Sequence, residues 1–205
     1  MEISKKEHWE KVFATKAETE VSWYQKNPET SLQLINSCGV SKDAKIIDIG
    51  GGDSYLIDSL VELGYTNLFL LDISEKAIER SKARLGTKAE NVTFIVSDIL
   101  DFETTEKFDI WHDRASFHFL TNETDISKYA TIVSSALPTS GNFILGTFSD
   151  EGPLKCSGLE ITQYSVDKIA TTFEETFEME NCFTEDHATP FETTQNFIFC
   201  HFKKQ

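Results

Sequence analysis

The stretch Lys45-Ile46-Ile47-Asp48-Ile49-Gly50-Gly51-Gly52-Asp53-Ser54 is a short apolar run that ends in an acid, three glycines and a second acid. A helical pattern then runs to about Leu63. Glycine at such a point lets the backbone turn sharply off a strand and lay its N–H groups against a ligand. Outward from this stretch the pattern repeats. Asn67-Leu68-Phe69-Leu70-Leu71 is a second run, closed by Asp72 and followed by a helix over 74–85. Further runs occupy 91–96, 108–111 and 141–148, with a helix over about 125–137 before the last. Short apolar strands alternating with helices predict βαβ units and a parallel sheet covered on both faces. After Asp150 come a loop around Gly152-Pro153, a helix over 166–173, and runs at 176–182 and 195–202. With no helix between them, the last two runs predict an antiparallel pair at a sheet edge.

The 205 residues, 40% hydrophobic and 26% charged, suit one medium domain with a substantial core. Lys plus Arg number 19 against 34 Asp plus Glu, giving a formal charge of -15 and a pI of about 4.7. So acidic a surface repels phosphate backbones and anionic membranes, and neither nucleic acid nor membrane is expected as a partner. Cys38, Cys156, Cys182 and Cys200 form no C-x-x-C and no zinc-spaced Cys/His pair. No metal site is therefore expected, and packed, reduced thiols are. The first residues lack the apolar segment of a signal peptide and no run approaches a membrane span, so a cytoplasmic location is expected. Residues 1–44 read as an amphipathic helical extension, with Asn27 capping a helix that starts at Pro28-Glu29 and stops at Gly39.

Asp72 stands about 20 residues after the first glycine, where a strand-end acid can bond ribose hydroxyls. A dinucleotide site normally has G-x-G-x-x-G, which seats a pyrophosphate on the helix N-terminus. Here the spacing is Asp48-x-Gly50-x-Gly52-x-Ser54, with Asp53 beside the place of that phosphate. Carboxylates around the loop repel a pyrophosphate but tolerate a sulfonium or ammonium group. At the end of the third run, Ser97-Asp98-Ile99 offers an acid for an exocyclic adenine amine and an apolar neighbour for the ring. The ligand that fits is S-adenosylmethionine rather than NAD.

On these residues the sequence resembles the class I S-adenosylmethionine-dependent methyltransferases, over roughly residues 30–205. The resemblance implies an α/β fold, a Rossmann-like doubly wound seven-stranded mostly parallel sheet of order 3-2-1-4-5-7-6 with strand 7 antiparallel. It implies cofactor contacts from Asp48, Gly50, Gly51, Gly52, Asp72, Ile73, Asp98 and Ile99. Ser54 stands where the family often has a third glycine; it is small and can cap the helix. Asp113-Arg114, inside Trp111–Leu120, is similar to the strand-four edge of thiopurine-type small-molecule methyltransferases. Asp113 and His118 are the catalytic candidates there, His118 as a general base. Loop fixing is the alternative for Asp113 and local hydrogen bonding for His118, since alignment and water exclusion can drive methyl transfer without a base. Trp23 and Tyr24, downstream of His8-Trp9-Glu10, suit either a lid over a sulfonium or core anchoring. The 150–159 segment reads as a binding loop.

The expected function is transfer of a methyl group by in-line displacement to a small-molecule or peptide nucleophile (N, S or O). The expected form is a monomer or homodimer of one domain, 1–205, whose residues 1–44 act as a lid. A protein-lysine methyltransferase and a non-catalytic S-adenosylmethionine-binding module are the alternatives. A nicotinamide-dependent oxidoreductase is disfavoured by the loop carboxylates.

Overall fold

The computed structural model describes residues 3–205. The five apolar runs become β1 (Lys45–Ile49), β2 (Asn67–Asp72), β3 (Val92–Val96), β4 (Ile110–Arg114) and β5 (Asn142–Phe148). A two-stranded hairpin, β6 (Lys155–Cys156) with β7 (Leu159–Glu160), interrupts the following loop, and the long β8 (Phe177–Ala188) and β9 (Thr194–Lys204) come last. The helices are α1 (Lys5–Thr15), α2 (Glu29–Ser37), α3 (Leu56–Glu62), α4 (Glu75–Leu85), α5 (Glu123–Ala136) and α6 (Val166–Phe173). The main sheet has the order β3-β2-β1-β4-β5-β9-β8. Strands β1 to β5 run parallel, and β9 is antiparallel to both β5 and β8. This is the Rossmann-like sheet expected from the sequence, with the β6–β7 hairpin as an addition.

Both faces of the central strands are covered, which is why those strands read as unbroken apolar runs. Ile46, Leu68, Ile110 and Ile144 pack against Ile35, Leu60 and Ile78 of α2, α3 and α4. Ile47, Trp111, Phe143 and Leu145 pack against Tyr129, Val133 and Phe173 of α5 and α6. Side chains of Ser74, Asn122 and Ser165 accept a free first-turn N–H, from Ala77, Asp125 and Lys168 respectively, and so fix where α4, α5 and α6 begin. Helix α2 differs from expectation. Pro28 occupies its cap position, and Asn27 uses its amide to donate to Glu29 Oε1 at 3.0 Å.

Three further readings are corrected. Strand β4 continues through His112, Asp113 and Arg114, because the polar groups of His112 and Asp113 find buried partners on opposite faces of the sheet. Strands β8 and β9 are longer than the apolar runs at 176–182 and 195–202, so His187 and Ala188 belong to β8. Cys182 and Cys200, expected as packed thiols, are register partners across β8–β9 and form a disulfide, while Cys38 and Cys156 are free. No helix of the described residues is long and apolar enough to cross a membrane.

The α5 side of β4 is tied by a buried chain of hydrogen bonds. Trp111 Nε1 donates to the Tyr129 hydroxyl at 3.2 Å, and that hydroxyl donates to Asp113 Oδ2 at 2.7 Å. Tyr129→Phe strips both buried partners and should destabilise the fold by about 1–3 kcal/mol in urea titrations. A loss below about 0.5 kcal/mol, the level of an ordinary surface change, would refute this account of the chain.

Candidate active site

Successive residues of β1 and β4 point to alternate faces, and Asp48 and His112 are register partners. His112 Nδ1 lies 2.7 Å from Asp48 Oδ1, and its Nε2 lies 2.9 Å from Ser31 Oγ on α2. All three residues are buried. Beyond Asp48 the chain must leave the sheet at once. Gly50 does so with φ +62°, and a Cβ there would stand 2.6 Å from Ser116 Cβ. A Cβ on Gly51 would collide with the Asp48 carboxylate, so the side chain below requires the bare backbone above.

Two adjoining cavities open here, of about 110 Å³ and about 40 Å³, and Gly50, Trp23 and Arg114 line both. The larger holds Asp72 and Ile73 from the end of β2 and Asp98 and Ile99 from the turn after β3, with Trp9 and Phe13 of α1 across from them. The smaller holds Asp48, Gly51, Asp53, Tyr24 and Tyr55. Gly52 lines neither. It stands behind the loop, its N–H bonding Asp72 and its carbonyl accepting from Ser81 Oγ at 2.8 Å. The structure thus brings every other expected binding residue to one or both cavities.

The acids differ in how their charge is met. Asp53 is paired with Arg80 at 2.9 Å. Asp72 has no cation partner, and burial pushes its carboxyl up to about 7 against the opposing N–H bonds from Ser74 and Gly52; Asp53 and Asp48 add to the rise. Asp48 bonds through Oδ1, while its Oδ2 is buried with no partner in the protein.

Trp9, Glu10 and Phe13 complete the site from α1. Glu10 accepts from Ser74 Oγ (3.1 Å) and from the backbone N–H of Glu75 (2.6 Å) and Lys76 (3.2 Å), a carboxylate seated on the N-terminus of α4. Trp9 meets the edges of Trp23 and Phe119 at centroid distances of 5.7 and 5.1 Å. Lys5, Trp9 and Phe13 recur every four residues along one helix face, a spacing that marks a common lining. Arg114 Nη1 donates to the Trp23 carbonyl at 3.0 Å and ties this cover to β4.

Neither expected catalytic residue lines a cavity. Asp113 points to the opposite face of the sheet from Asp48 and His112, where Oδ2 accepts from Tyr129 and Oδ1 from the N–H groups of Ser116 and Phe117, each at 3.2 Å. These bonds clamp a turn in which Ala115 has φ +64°, a conformation costly for a residue with a Cβ. His118 is wholly buried, its ring stacked on Phe148 at 4.3 Å with both nitrogens unpartnered. Burial, helped by the charge of Arg114, holds its imidazole down at about 3. The placement of these two side chains beside the acceptor is therefore corrected: Ala115, Ser116, Phe119 and Leu120 line the larger cavity, while Asp113 turns to Tyr129 and the His118 ring turns to Phe148.

Comparison with known proteins now bears on the site. A methyltransferase domain model matches residues 40–196. The chain belongs to the methyltransferase-domain family. Among its curated relatives are two of different acceptor chemistry. The mouse (Mus musculus) eEF1A lysine and N-terminal methyltransferase is 28% identical over 130 residues, covering 62% of this chain and 18% of that protein. Malonyl-[acyl-carrier protein] O-methyltransferase 2 of Ilyobacter polytropus is 28% identical over 107 residues, covering 52% of this chain and 40% of that protein. The chain thus spans less than half the length of either relative. The N-methyltransferase NodS of Bradyrhizobium japonicum, solved with S-adenosyl-L-homocysteine, shares the fold with a TM-score of 0.68 and 17% identity over 88% of this chain and 89% of that one. S-adenosylmethionine is the methyltransferase's cofactor. The residues fit it: a glycine turn that any Cβ would fill, an unpartnered buried oxygen on Asp48, and a strand-end acid at Asp72.

Asp72 should respond to pH in a defined direction. If Asp72 takes the ribose hydroxyls, which donate best to the ionised carboxylate, S-adenosylhomocysteine affinity should fall as pH drops through about 7. Asp72→Asn should weaken binding by roughly 1.5–3 kcal/mol at pH 8 and leave it flat between pH 6 and 8, conditions chosen on the scale of one charge-assisted bond. Calorimetry giving parallel pH profiles for parent and variant would remove Asp72 from the ribose.

Proposed function

We propose that this methyltransferase transfers a methyl group from S-adenosylmethionine to a nitrogen, sulfur or oxygen nucleophile of a small molecule or peptide. The observation that carries the reading is the larger cavity, where Asp72 and Asp98 with Ile73 and Ile99 face an aromatic cover across the Gly50 turn. When bound, S-adenosylmethionine supplies a methyl already activated on a sulfonium. Asp72 takes the ribose hydroxyls, Asp98 and Ile99 the adenine, and Asp48 Oδ2 the methionine ammonium. Trp9, Trp23 and Tyr24 exclude water and present π faces near a cation.

No side chain of the β4 segment needs to act as a base in this reading. Asp113 is a positioning residue that holds the Ala115-Ser116 turn against Gly50, and His118 packs. Alignment of acceptor and methyl supplies the rate. Residues 1–44 serve as the cover of a single domain over 1–205, monomeric or dimeric, in a cytoplasmic setting. A second reading, methylation of a protein lysine, is favoured by the formal charge of -15, which would welcome a basic substrate.

The test is a screen across amines, thiols, phenols, carboxylates and lysine peptides that reads S-adenosylhomocysteine. Turnover with a small acceptor is the expected result. Turnover with lysine peptides alone supports the second reading, and cofactor binding without any turnover would leave a binding module.

Two variants probe the assigned roles. His118→Phe should keep turnover within about tenfold of the parent, below the loss expected for a missing general base. It should also relieve acid lability. The unfolded chain protonates near 6.5 and the buried ring only near 3, so folding loses stability as pH falls between these values. A loss of about 10²-fold or more would restore the base. Glu10→Ala should release α1 from α4 and raise the dissociation constant for S-adenosylhomocysteine several-fold, with a stability cost of about 1 kcal/mol, the worth of a helix cap. Unchanged affinity in that variant would show that α1 does not cover the cofactor.

A further inference from the structure

The three arginines of the chain are satisfied very unequally. Arg84 donates from Nε and Nη2 to both oxygens of Asp58 and from Nη1 and Nη2 to the carbonyls of Asp53 and Ser54. Arg80 donates to Asp53 Oδ2 and the Lys16 carbonyl. Arg114 makes one hydrogen bond, from Nη1 to Trp23. Its Nε and Nη2 are shielded from solvent and have no partner in the protein.

The unpaired atoms are not an arbitrary pair. Nε–H and Nη2–H project in parallel along one side of the guanidinium, the edge that grips both oxygens of a carboxylate. The opposite end is used on Trp23, and the plane lies over the Phe197 ring at 4.8 Å, so only that edge is open. Glu185 and Asp48 act on the guanidinium through space, but among the described residues no carboxylate lies within ion-pair distance of it. Arg114 lines both cavities, at the wall they share. An unpaired buried cation is costly to fold around, and the cost is recovered when a ligand brings the missing charge.

We propose that the Nε–Nη2 edge of Arg114 receives a carboxylate of the bound ligand, held bidentately at the junction of the two cavities. The inference rests on the methyl-transfer reading above, and the carboxylate comes either from the methionine end of the cofactor or from the methyl acceptor. Because Nη1 already holds the Trp23 carbonyl, the carboxylate also stiffens the guanidinium that pins the cover.

Calorimetry separates the sources. The parent and Arg114→Met are titrated with S-adenosylmethionine and with its decarboxylated analogue, which keeps the sulfonium and the adenosine. If the carboxylate is the cofactor's, the parent should favour S-adenosylmethionine by about tenfold or more. Arg114→Met should lose that preference while binding the analogue as the parent does, which also shows the variant is folded. If the carboxylate is the acceptor's, the parent should bind both compounds alike. Benzoate should then bind the S-adenosylhomocysteine-loaded parent at millimolar concentration and not bind loaded Arg114→Met. Should the Met variant fail to fold, Arg114→Lys, which keeps the charge and loses the fork, should show the same losses in part. A parent with neither preference nor benzoate binding overturns the proposal, as does a preference that survives in the variants. Failure of both adenosyl compounds to bind the parent overturns the methyl-transfer reading as well, so the two failures are distinguishable.

Discussion

Strands β1 and β4 lie side by side and parallel, yet the chain leaves them toward opposite edges of the sheet, β1 to β2 and β4 to β5. No crossover covers the place where their carboxyl ends meet, and a crevice there is a geometric necessity. The walls of that crevice are set by how sharply each strand is left. Gly50 turns away with φ +62° and Ala115 with φ +64°, and Ser116 packs so closely on Gly50 that nothing larger fits between them. Glycine adopts that backbone freely. Alanine does so only under restraint, and the restraint is Asp113, whose Oδ1 binds two successive N–H groups of the turn. An acid buried on one face of the sheet thereby shapes a cavity on the other.

The crevice also collects charge in a place with little water, and most of that charge is met locally. Asp48 shares His112 with Ser31, Asp53 has Arg80, and Asp113 has a tyrosine and two amides. At the cavities the groups left incompletely met are Asp48 Oδ2, the Nε–Nη2 edge of Arg114 and the carboxyl of Asp72, which burial pushes up to about 7, as it does the carboxyl of Asp113 on the other face of the sheet. All three line the cavities. The unpartnered atoms of His118, Thr147, Tyr164 and Gln195 line neither cavity, and Asp48 Oδ2 and the Arg114 edge are the ones that a ligand in the proposed site would complete.

The central strands and the glycine loop were legible because their causes are local, whereas the strand order was an implication of the family resemblance. Two-sided burial leaves an unbroken apolar run, and a strand-end turn leaves glycines beside acids. What escaped the sequence depends on partners far along the chain. His112 and Asp113 look too polar for a central strand until Asp48 and Tyr129 are beside them, and His118 resembles a site residue because its neighbours Ser116, Phe119 and Leu120 line the cavity while its own ring turns to Phe148. Glu10 gives no sign of its role because its target, the first turn of α4, lies more than sixty residues away. The Cys182–Cys200 pairing follows from the β8–β9 register, which shifts at an irregularity between Met179 and Asn181 that composition does not announce.

The cover over the crevice combines two kinds of contact, and their division has a consequence for exchange. Along its rim the contacts are polar: Glu10 on α4, Lys16 on Arg80, Glu18 on Tyr55, His8 with Ser157, and Ser22 with His187 and Gln195. Each is worth a net ~0.5–1.5 kcal/mol, because water replaces it when it opens. Beneath the rim Val12, Phe13 and Val21 are buried, and lifting such side chains costs about 1.5–3 kcal/mol apiece. A segment held both at its rim and by apolar anchors can release one end while the anchors stay docked. The aromatic residues Trp9 and Trp23 sit between rim and anchors, against the cavity itself. On the proposed reading of this segment as a cover, release at the rim would leave the apolar anchors and the sheet packing in place.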